Sequence, residues 1–267
     1  MKIIRFFIIF LYLISIFTGC SMVEKPVKNN DPDSAIVKPK PSIVEKPAVK
    51  QQEITKSINE NPEFMDIIKQ SYSAYASDEP VKEIGGFVLL SSLDKDIVID
   101  LKYATTDNFT KRVIYPNSVC VLKKNTAEKL VKANTQLEKL GYRIKVWDAY
   151  RPIYVQQIFW NIVKDSRFVA NPKTGGSIHN KGCAVDITLV GKDGKELTMP
   201  SKFDDFSTNA YRTNSKISIE AKKNMNLLTK YMVDSGFTTI NTEWWHFDDS
   251  DSKKYKAADI NLEQFKN

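Results

Sequence analysis

Two histidines are all that this 267-residue chain contains, and each lies in a short cluster of acidic and aromatic residues. His179 belongs to the segment SIHNKGCAVDITL, which also supplies Asp186. His246 belongs to TEWWHF, which also supplies Glu243. Both segments contain strand-like runs, so a fold that joins the two clusters must bring two distant strands side by side. This requirement constrains the fold more than any other feature of the sequence.

The composition is typical of a protein with a sizeable core. Hydrophobic residues make up 42% of the chain and aromatic residues 11%, and the length allows one or two domains. The net charge of +7 favours an acidic surface as partner, such as anionic lipid or a polyanionic wall polymer. The basic residues are dispersed, without an arginine-rich stripe interleaved with aromatic residues. We therefore predict that nucleic acid is not a partner.

Residues 1–20 have the pattern of an export signal, because a short basic start precedes an apolar run that ends just before Cys20. The run is short for a membrane-spanning helix, which needs about 20 apolar residues. The segment TGC resembles a bacterial lipobox, in which the cysteine is lipidated and becomes the mature N-terminus. An ordinary cleaved signal or an uncleaved anchor are the alternatives. We predict a lipoprotein-type signal peptide and an extracytoplasmic protein that a lipid on Cys20 anchors to the bacterial cell membrane.

Residues 21–60 differ from the rest of the chain, because prolines interrupt every helical pattern and lysines recur beside them. This composition predicts a disordered Pro/Lys-rich linker. Asn61 and Pro62 then provide a helix cap and a first helical residue, so an ordered helix is predicted from residue 61. Residues 61–267 are interpreted as one catalytic domain.

Helix and strand patterns alternate irregularly within this domain. Apolar residues at helical spacing predict helices over residues 125–141, 153–163 and 218–236, the last with Ser218 as its cap. Strand-like runs cover residues 142–150, 183–189 and 237–247. Because strands and helices do not alternate regularly, we predict an α+β single domain with a small antiparallel sheet flanked by helices.

The two histidine clusters together offer a set of metal ligands. His179 and Asp186 are seven residues apart, which would place them on opposite faces of a flat strand. A loop or bulge around Gly182 can shift the phase so that both side chains face one point. With His246 they form a three-ligand set that suits one Zn²⁺ per chain and leaves a position for water. Glu243 is then free to act as a general base.

Short motifs of this kind also arise by chance. A single histidine is more often a core or surface residue than a ligand, and acids at strand ends usually cap or pair. The spacing alone therefore does not decide between a metal site and ordinary core, surface or capping roles for these residues.

The combined motifs resemble a known family. The pattern SxHxxGxxxD begins at Ser177, and ExxH begins at Glu243; both are similar to motifs of the zinc D-alanyl-D-alanine peptidases. The segments WDAYRP and DLKYATTDNFT resemble the D-Ala-D-Ala dipeptidase branch, the type tied to vancomycin resistance. The resemblance runs from about Val98 to Phe247. It implies the zinc D-Ala-D-Ala peptidase (hedgehog-like) fold and hydrolysis of D-Ala-D-Ala by a zinc-activated water.

The resemblance also implies roles for individual residues: His179, Asp186 and His246 as zinc ligands, Glu243 as catalytic base, Arg151 as the cation that steadies the transition state, and Asp204 as the partner of the substrate's ammonium group. The alternative role of Arg151 is a salt bridge to Asp148. For the substrate's carboxylate, Ser177 and nearby backbone amides are candidates. Tyr103, Asp107 and Asn108 are candidates to line the pocket, although an Asp-Asn pair is equally typical of a turn.

Three functions are compatible with these motifs. The favoured one, which the resemblance implies, is a D-Ala-D-Ala dipeptidase. Because the predicted export separates the protein from cytoplasmic wall precursors, a role in cell-wall peptide turnover is favoured over drug resistance. The alternatives are a D,D-carboxypeptidase that acts on longer peptidoglycan peptides and a non-catalytic zinc-binding wall module. Cys120 and Cys183 can form a disulfide or can equally be small buried residues. For Cys183, which lies inside the ligand segment, we favour packing over a role as metal ligand.

Overall fold

A computed structural model describes residues 82–265 of the chain. Within this range the helices are α1 (Lys124–Glu138), α2 (Ile153–Val163) and α3 (Ile219–Asp234). The strands are β1 (Glu83–Ile84), β2 (Phe87–Leu89), β3 (Val98–Ile99), β4 (Val121–Lys123), β5 (Tyr142–Asp148), β6 (Ala184–Gly191), β7 (Phe237–Thr239) and β8 (His246–Asp249). The predicted signal peptide, the linker and the helix from residue 61 lie outside the described residues.

All three predicted helices of this range are confirmed. α3 begins after Ser218, whose hydroxyl oxygen accepts a hydrogen bond from the backbone N–H of Ala221, as a helix cap should. α2 begins after Pro152 and ends at Val163, and the next residue, Lys164, adopts a left-handed φ of 49°. In α1, the buried residues recur every three or four positions and so face the core. None of the helices between residues 82 and 265 is long and apolar enough to cross a membrane.

The strands form two sheets rather than one. The larger sheet has the order β3-β5-β6-β8-β7, and the smaller has the order β1-β2-β4. All neighbouring pairs are antiparallel except β3 and β5, which are parallel. The α+β class is therefore confirmed, whereas the prediction of a single small antiparallel sheet is wrong. β3 has only two residues, too few for a visible period, and its parallel pairing follows from the long connection through β4 and α1.

The segment 237–247 contains two strands instead of one continuous run. β7 and β8 pair with each other, and residues 240–245 connect them. β8 also pairs with β6 in a register that sets His246 directly opposite Asp186. The two sequence clusters therefore meet on neighbouring central strands of the larger sheet.

One continuous hydrophobic core connects the helices to the larger sheet in the described part of the chain. Its largest fully buried side chains include Trp244, Tyr115 and Phe159. Cys120 and Cys183 are both buried and unbonded to each other. Of the two options for the pair, the structure has two separate buried thiols, which agrees with the packing role favoured for Cys183.

Candidate metal centre

A short turn places His179 just before the first residue of β6. Residues Ile178–Lys181 form a 3₁₀ turn that Ser177 caps, since its hydroxyl oxygen accepts a hydrogen bond from the backbone N–H of His179 at 3.2 Å. Gly182 closes the turn with a φ of 67°. A side chain at Gly182 would collide with the ring of Phe87, so both the dihedral angle and the space require glycine. This is the change of phase before the strand that the sequence predicted at Gly182.

The ligand atoms of the two histidines and Asp186 converge on one point. His179 Nε2 lies 3.2 Å from His246 Nδ1 and 3.4 Å from Asp186 Oδ1. His246 Nδ1 lies 3.0 Å from Asp186 Oδ1. Tetrahedral zinc bonds of about 2.0–2.1 Å would separate neighbouring ligand atoms by about 3.3 Å. All three side chains are buried, and together they can hold a metal ion.

Hydrogen bonds on the far side of each imidazole ring fix which nitrogen is available. His179 Nδ1 lies 2.7 Å from the carbonyl oxygen of Ala149, which can only accept, so the Nε2 lone pair faces the centre. His246 Nε2 lies 2.9 Å from Asp248 Oδ1, which leaves Nδ1 for the centre. Metal-binding histidines typically make such outer contacts, because these contacts fix the ring and its tautomer.

The electrostatics of the centre favour a cation. Burial alone would lower the pKa of His246, but hydrogen bonds to Asp186 and Asp248 outweigh it and raise that pKa well above the ordinary value. Burial would likewise raise the pKa of Asp186, yet the neighbouring His179 and His246 lower it. The carboxylates around His246 therefore favour a positive charge at this point, which a bound metal ion would supply.

Glu243 lies beside the ligand cluster without belonging to it. Its Oε2 is 3.9 Å from His246 Nδ1, and the residue is only 9% exposed. Burial raises the pKa of Glu243 to about 7, although the charge of His246 opposes the shift. A carboxyl group with a pKa near neutrality can both accept and release a proton.

Arg151 is held rigidly against the same centre. Its Nε and Nη2 donate to Asp148 Oδ2 at 2.9 and 2.7 Å, and its Nη1 donates to Gln156 Oε1 at 2.9 Å. The guanidinium lies 4.9 Å from the ring centre of Phe159. Its Nη2 is also 3.6 Å from Asp186 Oδ2. The salt bridge to Asp148 is therefore present, and it points the guanidinium toward the ligands rather than away from them.

A bulge in β5 makes this arrangement possible. The pairing of β5 with β6 shifts between Val146 and Asp148, so that Asp148 lies opposite Asp186. Bulges commonly redirect side chains next to active sites. The Asp148 carboxylate is in turn fixed by the hydroxyl of Tyr115, which donates to Oδ1 at 2.5 Å.

Asp204 lies on a strained backbone in the loop that follows β6. Its φ is 57°, which is uncommon for a residue other than glycine. The hydroxyl of Tyr103 donates to Asp204 Oδ1 at 2.9 Å, but Oδ2 is buried and has no hydrogen-bond partner among residues 82–265. Burial raises the pKa of this carboxyl group well above its ordinary value. A cationic ligand that pairs with Oδ2 would offset this effect of burial and favour the carboxylate form.

A pocket of about 960 Å³ adjoins Asp204. Its walls include the rings of Trp147, Phe203 and Phe206. The sequence candidates Asp107 and Asn108 also line it, and the side-chain amide of Asn108 donates to the carbonyl oxygens of residues 102, 105 and 112. Asn108 thus both lines the pocket and holds a turn.

Several residues of the site escaped the sequence analysis. Asp248 had a usable signal, because it follows His246 by two positions in a strand and so shares its face. Gln156 and Phe159 had none, since each appears only as part of the helical pattern of α2. The carbonyl group of Ala149 has no side-chain signature at all.

Comparison with known proteins agrees with this geometry. The sequence model of the family described as D-Ala-D-Ala dipeptidase (peptidase family M15) matches residues 83–264. A protein named D-alanyl-D-alanine dipeptidase from Escherichia coli (strain K12) is 34% identical over 159 residues, which cover 60% of this chain and 82% of the relative. A protein of the same name from Enterococcus faecium is 32% identical over 182 residues, covering 61% of this chain and 90% of the relative. Another from Streptomyces coelicolor is 28% identical over 183 residues, covering 61% and 91%.

Proposed function

The chain belongs to the D-Ala-D-Ala dipeptidase family of peptidases, and we propose that it hydrolyses D-Ala-D-Ala with one zinc ion bound by His179, Asp186 and His246. The observation that supports this most directly is the set of separations between the three ligand atoms, 3.0 to 3.4 Å, in a buried site. We also propose that the domain has the hedgehog-like fold of zinc D-Ala-D-Ala peptidases.

The donor set determines what the ion would contribute. Two imidazole nitrogens and one carboxylate oxygen are a typical set for catalytic zinc, which keeps a further position open. Bound zinc lowers the pKa of water to about 7 and polarises a carbonyl group. The remaining steps depend on residues of the chain.

Glu243 is suited to move the proton. Its carboxylate lies beside His246, so it can accept a proton from the attacking water and later release it to the leaving amine of the second D-alanine. A pKa of about 7 supports both transfers near neutral pH. A separate carboxylate for this step is what a metal-binding module without catalysis would not need.

Arg151 is suited to stabilise the negative charge that develops on the scissile carbonyl oxygen. The residue is 8% exposed, and Asp148, Gln156 and Phe159 hold its guanidinium in place. A fixed donor stabilises the transition state because it need not reorganise during the reaction. Loss of one such donor typically costs about 2.7–4 kcal/mol in the barrier.

Both ends of a dipeptide are charged and need partners in the site. The unpaired Asp204 Oδ2 is the proposed partner of the ammonium group. For the carboxylate we propose Ser177, whose hydroxyl oxygen accepts from the N–H of His179 but whose own O–H remains available to donate. Ser177 caps the turn that carries His179, which supports this proposal.

One observation favours the D,D-carboxypeptidase alternative. A pocket of about 960 Å³ is at the upper end of the range that drug-sized ligands occupy, so a longer peptide has room. Against this, a longer peptide has an amide in place of the ammonium group and would leave Asp204 Oδ2 unpaired. We therefore keep the dipeptide as the substrate, and product analysis with D-Ala-D-Ala and a wall pentapeptide separates the two.

The cellular role that we propose is digestion of wall dipeptides outside the cytoplasm. It depends on residues 1–20 as a lipoprotein-type signal peptide, on Cys20 as the lipidated residue, and on residues 21–60 as a linker to the domain at 61–267. Metabolic labelling with a fatty acid tests it, with Cys20→Ala as the control. Absence of label on the parent protein would contradict the lipid anchor.

The proposed activity has a direct test. Purified protein is assayed for bound zinc and for release of D-alanine from D-Ala-D-Ala, before and after chelation and after zinc is restored. We expect about one zinc ion per chain and activity that follows the zinc content. His246→Ala should lose both. Activity that survives complete removal of metal would overturn the proposal.

A further inference from the structure

Thr188 is a fully buried residue whose hydroxyl group is unpaired. It lies on β6, and its Oγ1 has no hydrogen-bond partner in the described range 82–265. Buried polar side chains are nearly always paired, and an unpaired buried hydroxyl destabilises a fold. Valine has almost the same shape without that cost. The hydroxyl therefore calls for a role other than packing.

The strand places Thr188 next to the metal centre. Side chains two positions apart in a strand share a face, so Thr188 lies on the same face of β6 as Asp186. At about 3.3 Å per residue, the two Cα atoms are about 6.6 Å apart. Thr188 also lines the pocket that contains Asp204. Asp186 belongs to the candidate metal centre and Thr188 to the wall of the pocket, so this face of β6 connects the two.

Two residues with unpaired polar atoms line the same pocket. Within residues 82–265, only Thr188 Oγ1, Asp204 Oδ2 and Asn261 Nδ2 are buried side-chain atoms without a partner. The first two belong to residues that line this pocket, and Asn261 does not line it. A hydroxyl oxygen and a carboxylate oxygen can both accept from one cationic donor.

We propose that Thr188 is a substrate-binding residue that accepts a hydrogen bond from the ammonium group of the dipeptide, next to Asp204. This inference rests on the proposed dipeptidase function and extends its recognition of the amino end. An ammonium group has several N–H donors and no acceptor, so a single carboxylate oxygen leaves donors unsatisfied in a buried pocket. The amino nitrogen and the scissile carbonyl carbon share one neighbouring carbon atom. When the scissile carbonyl group lies at the metal centre, the amino group must therefore lie close by, and Thr188 is two residues from the ligand Asp186 on β6.

The proposed contact predicts a specific kinetic change. The ammonium group keeps its charge throughout the reaction, so Thr188 should bind substrate and transition state equally. Loss of such binding raises KM and leaves kcat unchanged. A residue that only supports the metal ligands would lower kcat or the zinc content instead.

The first experiment measures D-Ala-D-Ala hydrolysis by the zinc-loaded protein and its variants. Thr188→Val should raise KM about tenfold with kcat within about twofold, and Thr188→Ser should restore the parent KM. Thr239→Val, at an exposed position of the edge strand β7, is the matched control and should not change KM. Thr188→Val should also unfold at the same temperature as the parent or higher, because the unpaired hydroxyl is gone. A parent-like KM in Thr188→Val would overturn the inference, as would failure of Thr188→Ser to restore it.

The second experiment separates this inference from the proposed activity. Calorimetry measures binding of intact D-Ala-D-Ala to a Glu243→Gln variant, with and without Thr188→Val, and of propionyl-D-alanine, which lacks the amino group. The Kd of D-Ala-D-Ala should rise about tenfold with Thr188→Val, and that of propionyl-D-alanine should not. This result supports the role of Thr188 even if the parent proves unable to hydrolyse D-Ala-D-Ala. An equal rise for both ligands, or none for either, would overturn it whatever the activity.

Discussion

The metal centre and the neighbouring pocket differ in how their polar atoms are paired. At the metal centre, both histidines are fixed by outer contacts to Ala149 and Asp248, and each ligand atom already faces another. In the pocket, Asp204 and Thr188 are buried with unpaired oxygens. The polar atoms of the metal centre are paired without substrate. Asp204 and Thr188 each keep an unpaired oxygen that a cationic group of a ligand could contact. The proposed reaction and the proposed recognition of the substrate's amino end therefore depend on separate residues.

This division has a consequence for enzyme kinetics. Changes around the metal centre should lower kcat or the affinity for zinc, whereas changes in the pocket should raise KM.

The largest effect is expected at Glu243. Glu243→Gln keeps the shape of the side chain but cannot accept a proton, so kcat should fall by about 10²- to 10⁴-fold. Zinc content should not change, because Glu243 is not one of the three ligands. Steady-state kinetics and metal analysis measure both quantities. Glu128→Gln, at an exposed position of α1, is the control, and a parent-like kcat in Glu243→Gln would remove Glu243 from the mechanism.

Arg151 should have the next largest effect. Arg151→Lys keeps a charge but loses the planar group that spans Asp148 and Gln156, so the charge is no longer fixed. We expect kcat to fall by about 10²- to 10³-fold. Arg143→Lys on β5, the strand that precedes Arg151 in the chain, is the matched control. If only KM changes in Arg151→Lys, then Arg151 contributes to substrate binding rather than to the transition state, and the proposed division between the two regions is wrong.

Asp248 should affect zinc affinity. Removal of an outer partner of a metal-binding histidine typically costs about 10- to 100-fold in metal affinity or activity. Asp248→Ala should therefore bind zinc more weakly, as measured by competition with a chromogenic chelator. Asp248→Asn keeps an oxygen that can accept from His246 and should lie between the parent and the alanine variant. Unchanged zinc affinity in Asp248→Ala would show that the outer contact does not hold the ring.

The smallest catalytic effect is expected at Asp204. Asp204→Asn should raise KM about tenfold with little change in kcat, since a hydrogen bond to a charged group contributes about 1.5–3 kcal/mol and tenfold corresponds to about 1.4 kcal/mol. A drop in kcat at unchanged KM would contradict the assignment.

Asp204→Asn should also change how the free energy of unfolding depends on pH. Burial raises the pKa of Asp204, so the folded protein retains a proton that the unfolded chain releases. The resulting stabilisation is complete below the ordinary carboxyl pKa of about 3.9 and is lost as the pH rises through the folded-state pKa. Asp204→Asn cannot titrate, and its free energy of unfolding should decline less over that interval. Urea unfolding at a series of pH values measures the difference.

The sequence predicted the local elements of the site well. The scarce histidines, the acids near them and Gly182 before β6 identified the three residues that the structure brings together. The three helices followed from apolar spacing, and Ser218 from its capping chemistry. Such features depend on neighbours in the chain, which is why a sequence pattern reveals them.

Other features had no local signal. The mixed sheet depends on β3, whose two residues acquire their strand conformation only by pairing with β5. Asp148 was weighed only as an alternative partner of Arg151, since the bulge that turns it toward Asp186 is a property of the β5–β6 pairing. The support of Arg151 by Gln156 and Phe159 likewise depends on where α2 packs.

The amino-acid sequence by itself determined which side chains can bind a metal and transfer protons, because that chemistry is a property of residue types and short spacings. Only the tertiary structure decided which polar atoms are satisfied and which are left for a ligand. Hydrogen-bond partners often come from distant segments of the chain, and burial is what makes an unpaired polar atom costly. That is why Thr188, ordinary in the sequence, stands out in the folded protein.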